Sequence, residues 1–251
     1  MSVVELLWPA FTLAIALVFI HAIFGVEIIK RGVIFTDLAI GQIAASGMAI
    51  SIAFFEGAYQ TPMTLLFAVL GALLITWATK NVKNIEAFIG LLYALGLSSI
   101  MLILAQSAEG TELFSKLSAA DILFTDTQTL YTDLALYSGV ALVMFGVYPR
   151  LSGLARELMF FLMLALTVTF SVQSAGVLVV FALLIAPAYA AIMQTRVAVF
   201  LFAFIFGSVF IALALYLSYN LDLPTGYTII FVNVLASLIF VVFMSLKQKK
   251  A

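Results

Sequence analysis

The stretch KRGVIFTDLAIGQIAASGMAISI, Lys30 to Ile52, decides how the chain is read. It opens on a basic pair, Lys30 and Arg31, and continues as a long apolar run holding one acid, Asp37, and one amide, Gln42. Small residues recur along it: Ala39, Gly41, Ala44, Ala45, Ser46, Gly47 and Ala49. An acid within an apolar span costs roughly 2.5–3.5 kcal/mol on insertion scales and marks a candidate functional site. Small residues let another helix, or a substrate, approach the backbone closely. At helical spacing Asp37 and Gly41 share a face that Ala44 and Ala45 continue. The reading is a helix that lines a pathway, housed by the rest of the chain.

Working outward, the composition is that of a protein dissolved in lipid. Of 251 residues, 65% are hydrophobic and 9% charged, against about 25% charged in soluble domains. A formal net charge of -1 excludes a polybasic nucleic-acid binder. The chain has no cysteine, which excludes disulfides, zinc–thiolate sites and thiol catalysis. The first apolar run is preceded by Glu5 and no basic segment, so it reads as a span, not a cleaved signal. The 23 phenylalanines and nine methionines read as lipid-facing and packing residues. The expectation is an all-α, multi-pass membrane protein forming a single transmembrane domain over 1–251.

Nine apolar segments can be marked, at about 6–25, 33–54, 62–79, 85–105, 131–148, 157–174, 176–193, 197–219 and 227–246, each near the length of about 20 residues that a span needs. Basic residues follow every second one: Lys30 and Arg31, Lys80 and Lys83, Arg150 and Arg156, Arg196, then Lys247, Lys249 and Lys250. The opposite connections hold Glu56, Glu109, Glu112, Asp121, Asp126 and Asp222, with Lys116 the one basic residue among them. The positive-inside rule then puts the N-terminus outside and the C-terminus in the cytoplasm, which requires an odd number of spans. Residues 157–193 are apolar almost without pause, so two full spans meet there in a tight turn with no polar loop. The connection at about 106–130 either forms an interfacial helix, with Leu113, Leu117 and Ala120 on one face, or is an ordinary polar loop.

Few residues carry chemistry. Asp37 is either a cation contact in the pathway or a structural acid paired with Lys30 or Arg31. His21, the one histidine, lies about one turn from the end of segment one, at a depth similar to that of Asp37. Glu86 opens segment four and Glu27 lies in the first connection. If the helices are neighbours, His21, Asp37 and Glu86 face one cavity; imidazole and carboxylate are ligands for divalent transition metals. The alternatives are an interfacial hydrogen bond for His21, and pairing with Lys83 or Lys30 for the two glutamates. Pro187, in LLIAPAYAA, kinks segment seven either for packing or as a hinge beside a pathway. No GxxxxGK[ST] loop is present, so any ATP that drives the protein is bound by another chain. No acid pair or nucleophile–base constellation stands within the spans, so the chain is not expected to be an enzyme.

Three stretches then resemble one family. RGVIFTDLAIGQIAASG, SAGVLVVFALLIAPA (Ser174 to Ala188) and DLPTG (Asp222 to Gly226) are similar, in the same order, to motifs of the membrane subunit of ABC importers for zinc, manganese or iron; IEAFIGLLYALG, Ile85 to Gly96, is a weaker match. The resemblance implies a permease homodimer in the bacterial inner membrane, a cytoplasmic ATP-binding subunit, and an extracytoplasmic metal-binding protein. It implies a transported divalent metal ion and no tightly bound cofactor. Asp37 would correspond to a pathway aspartate, with Gly41 and Gln42 beside it. Two features depart from the family. Many members place a histidine four residues after that aspartate, where this chain has Gly41. The connection YPRLSGLARE, Tyr148 to Glu157, is short for the segment that docks on the ATPase, with Arg150 and Arg156 as its candidate contacts. A membrane scaffold that kept the fold and lost ATPase-coupled transport is the alternative.

Overall fold

The computed structural model describes residues 3–105, 122 and 125–248, and the described residues are mostly helical. Nine α-helices lie among the described residues: α1 Val3–Arg31, α2 Thr36–Phe55, α3 Gln60–Asn81, α4 Ile85–Leu104, α5 Thr127–Gly146, α6 Gly153–Ala175, α7 Val177–Ile192, α8 Val199–Leu221 and α9 Thr225–Gln248. Eight are long and apolar enough to cross a membrane; α7, at 16 residues, is the short one. At 1.5 Å per residue it rises about 24 Å, less than a hydrocarbon core of about 30 Å. The two full spans expected over 157–193 are therefore one full helix and one short one. A single residue, Gly176, separates them at φ +85, a backbone conformation that residues with a Cβ rarely adopt.

The sequence segments and the helices agree to within a few residues except at the first. α1 does not stop near residue 25 but runs on to Arg31, where Gly32 at φ +66 ends it. Glu27, expected in a connection, is thus helical, and its Oε2 pairs with Arg31 Nε at 3.8 Å, one turn on. The expected interfacial helix around Leu113, Leu117 and Ala120 lies outside the described residues.

The chain forms two compact units. One holds α2, α3, α4, α6 and the end of α5. Its centre is α2, whose small residues bring the backbones of other helices close. A Cβ on Gly47 would stand 2.5 Å from the Met63 carbonyl oxygen of α3, and one on Gly96 of α4 would stand 2.8 Å from Gln42 Cβ. Ser46 Oγ reinforces the second contact, lying 2.8 Å from the Gln42 carbonyl oxygen and 3.2 Å from that of Gly96. One hydroxyl proton is shared between them. Beyond α2, Glu56 takes the left-handed conformation at φ 51. Ser51 holds the turn, its carbonyl accepting Gly57 N–H and its hydroxyl accepting Tyr59 N–H.

The other unit holds α1, the start of α5, and α7 through α9. Here α7 is gripped around Pro187. Gly25 of α1 lies so close to the Leu184 carbonyl that a Cβ there would collide with it. On α8, a Cβ at Gly207 would lie 3.1 Å from Pro187 Cγ. From α9, Ser237 Oγ donates to the Ala186 carbonyl at 2.7 Å. Contacts from three helices thus converge on the turns around Pro187. Phe19 adds edge-on ring contacts to Phe200 and Phe204 of α8.

Candidate functional site

Asp37 occupies the second position of α2, nearer the helix end than the apolar run implied. Its side chain is 1% exposed, and neither carboxylate oxygen has a hydrogen-bond partner. Within α1, Arg31 pairs with Glu27. A buried charge without a partner is among the most costly groups a fold can hold. What softens the cost is position: the first turn of a helix presents unpaired N–H groups and a partial positive charge.

The start of α2 is held in two ways. Thr36 closes a turn, its N–H and its hydroxyl both donating to the Val33 carbonyl, at 3.1 and 2.7 Å. Glu86, in the first turn of α4, accepts the Phe35 N–H on Oε1 at 3.3 Å, while its Oε2 is buried without a partner. Glu86 is thus held by a backbone N–H in place of Lys83 or Lys30. The fold brings a second carboxylate to the very turn that carries Asp37, and each keeps an uncommitted oxygen.

Gly41, one turn beyond Asp37, meets the first residue of α7 and the side of α6: a Cβ there would lie 3.1 Å from Val177 Cγ2 and 3.5 Å from Val168 Cγ1. The position has no room for a larger side chain without movement of those valines. Gln42 is buried at 5% exposure beside Gly96. His21 belongs to the other unit, in α1. It is fully buried, and its Nδ1 lies 2.7 Å from the Leu17 carbonyl. Among the described residues no three His, Asp or Glu side chains gather into a group that could hold a metal ion.

At the other candidate positions, Tyr148–Arg150 forms a single 3-10 turn and Arg156 already lies in the first turn of α6. Both arginines are exposed, and the Arg156 guanidinium sits 4.8 Å from the centre of the Tyr148 ring. Two features escaped the sequence reading. Asp133 is a second acid within a span, buried at 2% exposure in α5; the same signal that singled out Asp37 was there to find it. The connection between α7 and α8 is the other. Gln194 ties it into a knot, its Oε1 accepting Arg196 N–H and Val197 N–H at 2.9 Å, its Nε2 donating to the carbonyls of Ala191 and Val197 at 3.2 and 2.8 Å. Arg196 is thereby presented, exposed, on a rigid turn.

Comparison with known proteins gives a fold and a family pattern. Residues 149–246 match the ABC 3 transport family. The whole chain superposes on a chain of PsaBC from Streptococcus pneumoniae, solved in complex with Fab, with a TM-score of 0.76 and 20% identity, covering 97% of this chain and 95% of that one. It also superposes on an inward-facing metal-chelate type ABC transporter, with a TM-score of 0.69 and 15% identity, covering 93% of this chain and 84% of that one. No curated protein matches the sequence.

Proposed function

We propose that this chain is a permease subunit of the ABC 3 type, a reading supported by the match over residues 149–246 and the shared fold, and that it carries a divalent metal ion inward across the membrane, driven by ATP hydrolysed on a separate subunit. The observation that carries the proposal is Asp37, a buried carboxylate with both oxygens unpartnered at the start of the most enclosed part of its unit. Glu86 stands by the same turn with one free oxygen. Two carboxylates with open lone pairs attract a cation, and an ion in transit needs few ligands, since binding must be weak enough to let it leave. Zinc, manganese and iron are the expected cargo, delivered by an extracytoplasmic metal-binding protein to a homodimer in a bacterial inner membrane.

The mechanism is alternating access. ATP binding and hydrolysis on the cytoplasmic subunit move the cytoplasmic ends of the helices, through basic turns such as Arg150 and Arg156 and the knotted turn bearing Arg196. The short Tyr148–Glu157 connection fits this reading, because a superposition covering 95% of the PsaBC chain leaves no large segment of that fold missing here.

The test is metal uptake into proteoliposomes holding the chain with its nucleotide-binding partner. Asp37→Asn is expected to lower uptake by roughly tenfold or more, since losing a charged contact costs on the order of 1.5–3 kcal/mol, with membrane insertion unchanged. Uptake at the wild-type rate would remove Asp37 from the pathway. Wild-type chain that never co-purifies with a nucleotide-binding subunit would point instead to a membrane scaffold.

A further inference from the structure

Pro187 stands inside α7. Proline has no N–H, so the carbonyl four residues earlier, that of Leu183, loses the donor that an unbroken helix would give it. A carbonyl freed in this way inside a membrane is answered by a neighbouring helix, a hydroxyl or an ordered water. The helix alongside is α9, and two contacts set its register. Ser237 Oγ donates to the Ala186 carbonyl at 2.7 Å. Gln248 Nε2, at the end of α9, donates to the Met193 carbonyl at 3.4 Å, just beyond the end of α7. Both contacts advance in the same sense, so the two helices run parallel. One turn back from Ser237 is Asn233, and one turn back from Ala186 is Leu183.

The two residues also turn to the same side. At helical spacing Asn233 is rotated from Ser237 by roughly 40° toward Phe240, whose ring packs on Phe202 and Phe206 of α8. Leu183 is rotated from Ala186 by roughly 60° toward Pro187, which meets α8 at Gly207. Both therefore open on the seam of α7, α8 and α9. Asn233 is fully buried there. Its Nδ2 donates to the Ile229 carbonyl at 3.1 Å, which fixes the amide, since turning it over would set oxygen against oxygen. Its Oδ1 is buried without a hydrogen-bond partner.

We infer that this seam is a water-binding site, in which one water donates its two hydrogens to Asn233 Oδ1 and to the Leu183 carbonyl. Two neutral acceptors suit a double donor. They do not suit a cation, which takes more oxygens and usually carboxylates, and α7, α8 and α9 hold no acidic residue. A water can follow the carbonyl as the bend at Pro187 changes, so α7 flexes there without stranding a backbone group. The site is independent of the cargo proposed above.

The sign of one substitution tests it. Leucine has the branching of asparagine without its polar atoms. With no water bound, Asn233→Leu removes a buried unpartnered oxygen and leaves stability unchanged or raised. With the water bound, it strands the Leu183 carbonyl, and the full-length chain in lipid nanodiscs is expected to melt roughly 5 °C lower. Pro187→Ala returns an N–H to that carbonyl, so in its background Asn233→Leu is expected to cost little. A rise or no change in the first comparison overturns the site, and so does an equal loss in both backgrounds, which would be the mark of crowding by leucine. A structure of the unaltered chain at a resolution that shows buried waters is expected to place one within about 3 Å of both oxygens. Other buried waters without this one would overturn the site with no variant having to fold.

Discussion

Two of the carboxylates at helix starts in this protein, Asp126 and Asp37, are opposites. Asp126 precedes α5, exposed, with both oxygens engaged: Oδ1 accepts Gln128 N–H and Thr129 N–H at 2.8 and 2.9 Å, and Oδ2 accepts the Thr129 hydroxyl at 2.6 Å. Asp37 lies in the first turn of α2, buried, with neither oxygen engaged, while the Phe35 N–H that a local side chain would cap is taken by Glu86 from α4. The first is a cap whose whole capacity goes into ending a helix cleanly. The second has its capacity in reserve. Both are acids near a helix start; what distinguishes them is burial and the account of which group holds each oxygen.

The comparison breaks most severely if α2 is not fixed in place. Gly47→Val would set a side chain against the Met63 carbonyl, and is expected to destabilise the protein by about 3 kcal/mol, read as thermal unfolding in detergent. Little change would mean that α2 can shift, and that the burial of Asp37 is not enforced by its neighbours. A smaller effect is expected at Glu86. Glu86→Ala leaves the Phe35 N–H without its acceptor and should cost about 1 kcal/mol, whereas Glu86→Gln keeps an acceptor and should recover most of that loss. Equal losses in both would show that charge, and not the hydrogen bond, holds the start of α2.

The smallest effect belongs to Asp126. The Thr129 hydroxyl, then the backbone N–H groups, hold its carboxyl below the usual carboxylate range. A group depressed on folding stabilises the protein above the ordinary carboxylate pKa, and that contribution disappears as the pH falls through the lowered value. Asp126→Ala should therefore lower the melting temperature slightly at neutral pH, and the gap from wild type should close in acid, with metal uptake unaffected. A gap that persists in acid would deny the cap its charge; an effect on uptake would erase the contrast with Asp37.

Much of the fold was legible because lipid imposes a simple rule. Each span must be a helix with its backbone bonds made internally, so apolar runs such as 62–79 and 85–105 mark α3 and α4 to within a few residues. The rule fails where charge and helix do not end together. α1 carries Glu27, Lys30 and Arg31 in its last turns, and hydropathy closed it too early. The candidate site was legible only as residue types. Asp37 announced itself by being acidic among apolar neighbours, yet its surroundings depend on where Glu86 turns, and the Phe35–Glu86 bond spans 51 positions. The Gln194 knot was invisible for a related reason: nothing in a lone glutamine states that its hydrogen bonds will be spent on residues within three positions on either side. Asp133 was overlooked because it falls near a segment end already rich in polar residues.

The shortness of α7 has a consequence for the surrounding lipid. Sixteen residues leave it about 6 Å short of a typical hydrocarbon core, and a helix that short is sorted and strained by the thickness of the membrane it meets. Contacts from Gly25, Gly207 and Ser237 on α1, α8 and α9 hold its middle turns, so any mismatch is met by a helix already fixed by its neighbours, with Leu178 and Tyr189 its exposed large apolar side chains.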